Sequence, residues 1–597
     1  MDNSQSSDIL SESTDIFCNS PTDSMVQMMD TMTYDSLLSI TRVNFSSIHK
    51  ELKKTSFSSL FSSLLDDCSA CIYQSLDLIS KTLSDDDVEI DKLKEYICNA
   101  ISILQSLSDL TKNIIESVSA SCHNMKLFPT SVGHIIMKVF LHCKDSESAY
   151  GSYLYNVEVE LKDLFRTCHE LQLTYLMVLE KHFVFNLMEQ QQIDVLIEAL
   201  DINLQIGELV QSLDVKTMAE QWKGFSMICE KYSDFLIDMD VCSESTKILC
   251  TMLTKNIGMA LEESDDSKLI LRSLKVGSFT LKILLRLCTI FKRTVNKEYD
   301  QLLELLLLIF TNTDTYLEMV GGKSSQFVKL FNGHISELAQ SLLSQMAMDD
   351  KFLNYVVSYD AGKFRRDDKL LGYILLIISI LKLVLQSESH EIKNRILKCV
   401  FNFLPLCHVW FNMDLRFQSN AHNTHGLYEH LLIHVTALVV TIDNDGINLL
   451  EKRMVESILS IDCYSAMFSA NLWTLMARMI SRQMLLNQVT SLIRMYQKLE
   501  HNPMFSYSPQ QVHLSFTLRR LFESMTNEDR NKVYNMFRVQ EERNAGVWSV
   551  LSFNKLPREL YSVEQFVVEK VKRSLRKMIA YENVDMNEMN RTINLGH

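Results

Sequence analysis

Residues 93–118 read LKEYICNAISILQSLSDLTKNIIESV. Leu93, Ile97, Ile101, Leu104, Leu107, Ile114, Ile115 and Val118 recur at steps of three and four, and polar residues fill the opposite face. A helix turns once every 3.6 residues, so this spacing draws one apolar stripe along a helix and excludes a strand, whose side chains alternate with period two. Similar stretches follow near 156–186, 192–212, 244–262, 277–294, 299–319, 325–347, 370–386, 392–411, 427–442, 448–467, 470–500 and 511–525. Polar connections between them are short, as at 262–267. Only 15 Gly and 6 Pro occur in 597 residues. These two residues punctuate turns and hairpins, so a chain this poor in both has little room for a β-rich or loop-rich fold. The expected fold is all-α, an irregular α-solenoid of HEAT- or armadillo-like helix pairs; separate helical bundles are the competing architecture.

Composition bounds the rest. Residues 1–36 carry seven acidic side chains and no Lys or Arg among many Ser, Asp, Asn and Thr, which predicts a disordered acidic tail. Residues 37–562 are expected to form the solenoid, 563–584 a basic amphipathic helix, and 585–597 a flexible tail. The net charge of −15 does not favour nonspecific DNA binding by the chain as a whole. The 14 cysteines sit mostly inside apolar helical patterns, and the polar start of the chain does not read as a secretory signal. Reduced thiols in the cytosol or nucleus are expected, buried as small hydrophobes. The most apolar run, Leu370 to Leu385, is shorter than the roughly 20 residues a membrane span needs and carries Lys382, so it reads as a buried helix.

The short motifs each have a plain structural explanation. Gly321-Gly322-Lys323-Ser324 resembles the end of a phosphate loop, but Leu317 stands where that loop needs Gly, and a leucine-rich helix precedes it. A glycine pair closing a helix fits better. Cys68 and Cys71 have metal-type spacing without a second pair nearby. His408, His422, His425, His430 and His434 cluster, yet Leu431, Leu432 and Ile433 leave no Glu in a metalloprotease position, and the five read as ordinary helix and loop histidines. His142-Cys143 and Cys407-His408 are adjacent helical residues that diverge by about 100°, poor geometry for a catalytic pair. No active site, cofactor or metal is expected. Near the C-terminus, Val567, Val568, Val571, Leu575 and Met578 form a stripe, with Lys570, Lys572, Arg573, Arg576 and Lys577 around it. That pattern suits contact with phosphate or an acidic partner. Lys363, Arg365 and Arg366 form a smaller basic cluster.

Two regions are more specific. Phe128-Pro129-Thr130-Ser131-Val132-Gly133-His134-Ile135-Ile136, with Phe140-Leu141-His142-Cys143-Lys144-Asp145-Ser146-Glu147-Ser148-Ala149-Tyr150, closely resembles a segment of the fidgetin-like-interacting regulators of recombination and mitosis. Later landmarks of the same family follow in order: Leu427–His430, Asn471–Arg478, Leu518–Phe522, Trp548–Phe553 and Leu556–Leu560. The resemblance covers roughly residues 60 to 562. The family's Trp-Cys-Phe tripeptide, linked there to partner binding, is matched by Trp473-Thr474-Leu475, so only the Trp carries over. Longer family members continue with many more helices beyond the Leu-Pro-Arg-Glu-Leu landmark.

The resemblance implies a non-enzymatic nuclear scaffold, present also in the cytoplasm, that binds a fidgetin-like AAA ATPase. Through that complex it would limit the RecA-type strand-exchange recombinase in homologous recombination, crosslink repair and meiotic crossover control, and act in mitosis. Direct DNA contact is left open, and no membrane is involved. Trp473 and Arg478, with His134, His142, Lys144 and Glu147, are the partner-binding candidates. The polar run 144–148 reads as a shaped interhelical loop. A generic helical-repeat adaptor in transport or cytoskeletal assembly is the alternative that composition alone does not separate.

Overall fold

A computed structural model describes residues 34–51, 57–84, 88–117, 125–237, 239–262, 267–291, 298–364, 368–420, 423–502, 504, 508–551, 556 and 561–579. The chain is all-α as the periodicity requires, and divides into two compact units. One comprises residues 1–249 and 282–295; the other comprises 250–281 and 296–597. The expected tail at 1–36 lies outside the described residues up to 33, and the first described helix begins at Tyr34. The tail expected at 585–597 is likewise outside them.

In the first unit the principal helices are α1 (Tyr34–Glu51), α2 (Phe57–Ser84), α3 (Ile90–Ser117), α4 (Gly133–Tyr150), α5 (Leu154–Met177), α6 (Gln190–Val210) and α7 (Val215–Lys231). Each packs on close neighbours in the chain: α1 on α2, α2 on α3, α3 on α5, α4 on α5 and α6, α6 on α7. The stripe that opened the sequence reading is the buried face of α3, with Leu93, Ile97, Leu104, Leu107 and Ile114 fully enclosed. Cys68 and Cys71 are buried on α2, where burial pushes both thiols up, as expected of small hydrophobes.

Two helices, α8 (Val241–Glu262) and α9 (Ser267–Ile290), contribute to both units. The second unit continues with α10 (Tyr299–Thr311), α11 (Lys369–Val384), α12 (His390–Phe403), α13 (Leu427–Val439), α14 (Asn444–Ile458), α15 (Cys463–Met476), α16 (Arg482–Glu500), α17 (Pro509–Ser524) and α18 (Tyr561–Ile579). Here α10 packs on α11, α11 on α12 and α13, α12 on α14, α14 on α15, and α17 on both α15 and α16. Serial packing of this kind is the habit of helical-repeat chains. The apolar run 370–385 is α11, buried almost all round except at the exposed Lys382, whose ammonium is pushed down by desolvation. Among the described residues no helix is long and apolar enough to cross a membrane. Gly372 is required where α11 meets α10, because a Cβ there would come 2.5 Å from the Leu307 carbonyl oxygen. Gly321-Gly322 closes the helix Asp314–Met319, with Gly322 at φ +59° and the Lys323 N–H donating to the Leu317 carbonyl, a helix end and not a phosphate loop.

Several details depart from the sequence reading, among them the stretch 299–319, which breaks at Asn312 and Thr313. The run 144–148 is not a loop: α4 passes through it to Tyr150. Ser146 and Ser148 fold their hydroxyls back onto the Cys143 and Asp145 carbonyls, and the helix stops only at Gly151, φ +51°. The stretch 470–500 is two helices, because Ser481 caps α16 by accepting the Met484 N–H at 3.2 Å. Likewise 448–467 breaks where Asp462 caps α15 through the Ser465 N–H at 2.7 Å. Finally, a small antiparallel hairpin interrupts the helices: β1 (Arg416–Asn420) pairs with β2 (Asn423–Gly426), Phe417 opposite His425.

Candidate functional site

Three of the five histidines come together at the hairpin, whereas His408 lies on the short helix His408–Phe411 and His422 lies outside the described residues. His425 lies on β2, a strand rather than helix or loop, and its Nε2 is 2.7 Å from Nδ1 of His430 on α13. Phe417 stacks on the His430 ring at 4.8 Å, and the His434 ring meets it edge-on at 4.5 Å. Desolvation, with His434, Lys382 and His425 nearby, lowers His430 to about 3. It is a neutral packed ring. Among the described residues no group of His, Cys, Asp and Glu has the arrangement to hold a metal ion.

The later family landmarks converge. Asn471 of α15 donates to the Tyr428 hydroxyl of α13 at 2.5 Å and accepts from the Arg520 guanidinium of α17. That guanidinium also sits 5.3 Å over the Phe516 ring. Burial pushes the Tyr428 phenol up to about 12. Phe522 meets Trp548 edge-on at 5.9 Å, and the Trp548 indole donates to the Phe537 carbonyl at 2.5 Å. Four landmark segments therefore form one set of interhelical couplings. Of the fifth, only Leu556 is described.

Trp473 belongs to the same helix but opens differently. It is 3% exposed, a near-buried side chain rather than a protruding anchor. Its indole N–H donates to Gln488 Oε1 on α16 at 3.0 Å, and Gln488 Nε2 donates to Glu451 Oε1 on α14 at 2.5 Å. Above this chain runs a groove of about 580 Å³. Its apolar lining comes from Trp473, Val455, Met484, Leu492 and Met495; Asn448, Glu451, Lys452, Glu456, Asn487 and Ser491 supply its polar lining. Methionine adapts to varied apolar partners, which suits a recognition surface. Arg478, just beyond the end of α15, is exposed.

The other candidates lie in the first unit, on α4. His134 is half-buried. His142 is tied to the Tyr150 hydroxyl at 2.9 Å, and desolvation with Lys138 nearby lowers it to about 4. Lys144 and Glu147 are exposed. The preceding landmark is structural: Phe128 and Val132 are fully buried, and the Pro129 carbonyl accepts the Tyr175 hydroxyl at 2.8 Å. On α18, Lys572, Arg573 and Arg576 are exposed and Lys570 is half-buried, while the Lys577 side chain lies outside the described ones. Glu569 pairs with Lys572 at 3.2 Å. Arg365 and Arg366 are outside the described residues, and Lys363 sits 4.9 Å over the Tyr359 ring. Sequence reasoning missed the groove itself, because nothing in the period of α14 or α16 marks where two helices stay apart. Gln488, an amide inside an apolar pattern, was the available signal.

The sequence profile of a domain of unknown function, DUF4487, matches residues 209–593, which include every residue of the groove. The chain is also similar to proteins named FIGNL1-interacting regulator of recombination and mitosis. The Danio rerio protein is 22% identical over 494 residues, covering 76% of this chain and 53% of that one. The Rattus norvegicus protein is 22% identical over 543 residues, 86% and 59% of the two chains. The Homo sapiens protein is 23% identical over 552 residues, 86% and 63%. The chain thus spans 53 to 63% of the length of these curated relatives, whose names describe regulators. A solved circular tandem repeat protein with novel repeat topology and enhanced subunit contact surfaces covers 89% of this chain and 95% of its own, at 12% identity. Its TM-score of 0.31 is too low to carry an argument. The chain belongs to the DUF4487 family, and is similar along most of its length to the regulators of recombination and mitosis toward which its landmarks point.

Proposed function

We propose that this chain is a non-enzymatic nuclear scaffold that binds a fidgetin-like AAA ATPase and, through it, regulates RecA-type recombinase filaments. Homologous recombination, DNA crosslink repair and meiotic crossover control are the processes it would serve. The observation that carries the reading is similarity over 76 to 86% of the chain to proteins named for their interaction with FIGNL1. The helical architecture supports it physically, since a pre-formed surface binds without a large ordering cost. The groove above Trp473 is the docking place we assign to the ATPase, with the exposed Arg478 as a further contact. Lys144, Glu147, His134 and His142 are a second contact on the other unit. The basic face of α18, with Lys570, Lys572, Arg573, Arg576 and Lys577, is assigned to phosphate or an acidic partner.

The test is co-purification of the tagged chain from nuclear extract, read by mass spectrometry. Recovery of a fidgetin-like ATPase is expected. Recovery of coat or microtubule proteins without that ATPase would instead favour a transport or cytoskeletal adaptor and overturn the recombination reading.

A further inference from the structure

Glu451 is the informative side chain of the groove. One of its oxygens, Oε1, accepts the Gln488 amide that holds the Trp473 indole. Among the described residues no cation lies within ion-pair distance of it, whereas its neighbour Glu456 is paired with Arg453 at 3.1 Å. A half-buried carboxylate at the lip of an apolar groove is a place for an incoming cation, because the low-dielectric wall strengthens the pair. Lys452, also on the lip and exposed, discourages a second cation next to the first. The lining comes from one face each of α14 and α16, and the floor offers Trp473, Leu492 and two methionines. That shape accepts a helix laid lengthwise on its apolar face.

We propose that the groove between α14 and α16 binds an amphipathic helix of the partner. An aliphatic or aromatic anchor of that helix lies over Trp473, and a Lys or Arg about one turn away pairs with Glu451. Glu451 thereby reads the charge of the partner, and Gln488 transmits the pairing to the indole by fixing the amide that holds it. The proposal rests on the scaffold reading above and names the chemistry of its docking partner.

The experiment measures the affinity of the purified full chain for the purified fidgetin-like ATPase of the same organism, by calorimetry. Glu451→Lys and Met495→Glu are each expected to weaken binding roughly tenfold or more, and Lys452→Glu less than about threefold. Thermal melts check that all three variants are folded; both wall positions are partly exposed, so folding is expected to survive. Tight wild-type binding with Glu451→Lys and Met495→Glu both within twofold of it overturns the groove and leaves the scaffold reading standing. Absence of wild-type binding overturns the scaffold reading, and the assignment of the groove with it. Weakening by Met495→Glu but not by Glu451→Lys overturns the charge-reading part.

Discussion

Two amide networks in this molecule look alike on paper and behave differently. In the first unit, Gln172 Nε2 donates to Gln221, Gln221 Nε2 to Asn203, Asn203 Nδ2 to the Tyr175 hydroxyl, and that hydroxyl to the Pro129 carbonyl, with distances of 2.7 to 3.0 Å. Gln172, Gln221, Asn203 and Tyr175 are all buried. In the second unit, the chain from Trp473 through Gln488 ends on Glu451 at the lip of a groove. The sealed network has its donors and acceptors used up by its own helices, so it fixes how α5, α6 and α7 meet. The open one finishes on a charged group with an unused oxygen, so it has something left to offer another molecule. A buried polar group is costly to strand, which makes the first kind a determinant of structure and the second a handle.

The largest effect should come from breaking the sealed network. Asn203→Leu removes the side-chain amide shared by Gln221 and the Tyr175 hydroxyl inside a fully buried cluster, leaving them only the Asn203 and Pro129 backbone carbonyls, and is expected to destabilise the chain by about 3 kcal/mol in urea unfolding. An effect below about 1 kcal/mol would place the two networks in one class. Acid tests a second sealed polar group. His430 is neutral when folded at about 3, against an ordinary value of 6.5. The unfolded chain therefore binds the proton first, and stability is full above about pH 6.5 and declines as pH falls toward 3. About 2 kcal/mol should be lost between pH 6.5 and 5 from this group, and His430→Gln should flatten that part of the profile. Gln488→Leu comes next. Stranding a single indole N–H should lower stability by about 1 kcal/mol, with ATPase affinity falling more than stability does. A stability loss equal to that of Asn203→Leu would make the open network structural after all. The smallest effect is Lys144→Ala on the exposed face of α4, expected within about 0.5 kcal/mol in stability, so that any loss of partner binding there is a contact effect.

The sequence made the architecture legible because helical period is a local property and recurs with every turn. Helix ends were harder. At 477–481 the apolar pattern runs through the break, and only the small cap Ser481 marks it, so α15 and α16 merged. At 144–148 five polar residues look like a loop, yet Ser146 and Ser148 satisfy themselves on their own helix and Gly151 ends it. The hairpin escaped because five and four residues are too few to set a period, and His425 and His430 gain their meaning only from Phe417, which pairs with the first across the strands and stacks on the second. The spacing around Trp473 does not say whether its side chain is core or interface; the fold leaves it 3% exposed beneath the groove. An indole can serve a surface from beneath it, and no one-dimensional pattern distinguishes a floor from a knob.

The serial packing of the helices has a consequence for how the chain comes into being. α2 needs α1, α3 needs α2, and α5 needs α3, so each pairing partner has already left the ribosome when the next helix emerges. Short loops close quickly, and little apolar surface waits long for a distant mate. A nascent chain of this design folds at the pace of translation, from its N-terminal end onward, and its demand on chaperones should be greatest at α10, whose main partner α11 arrives nearly sixty residues later.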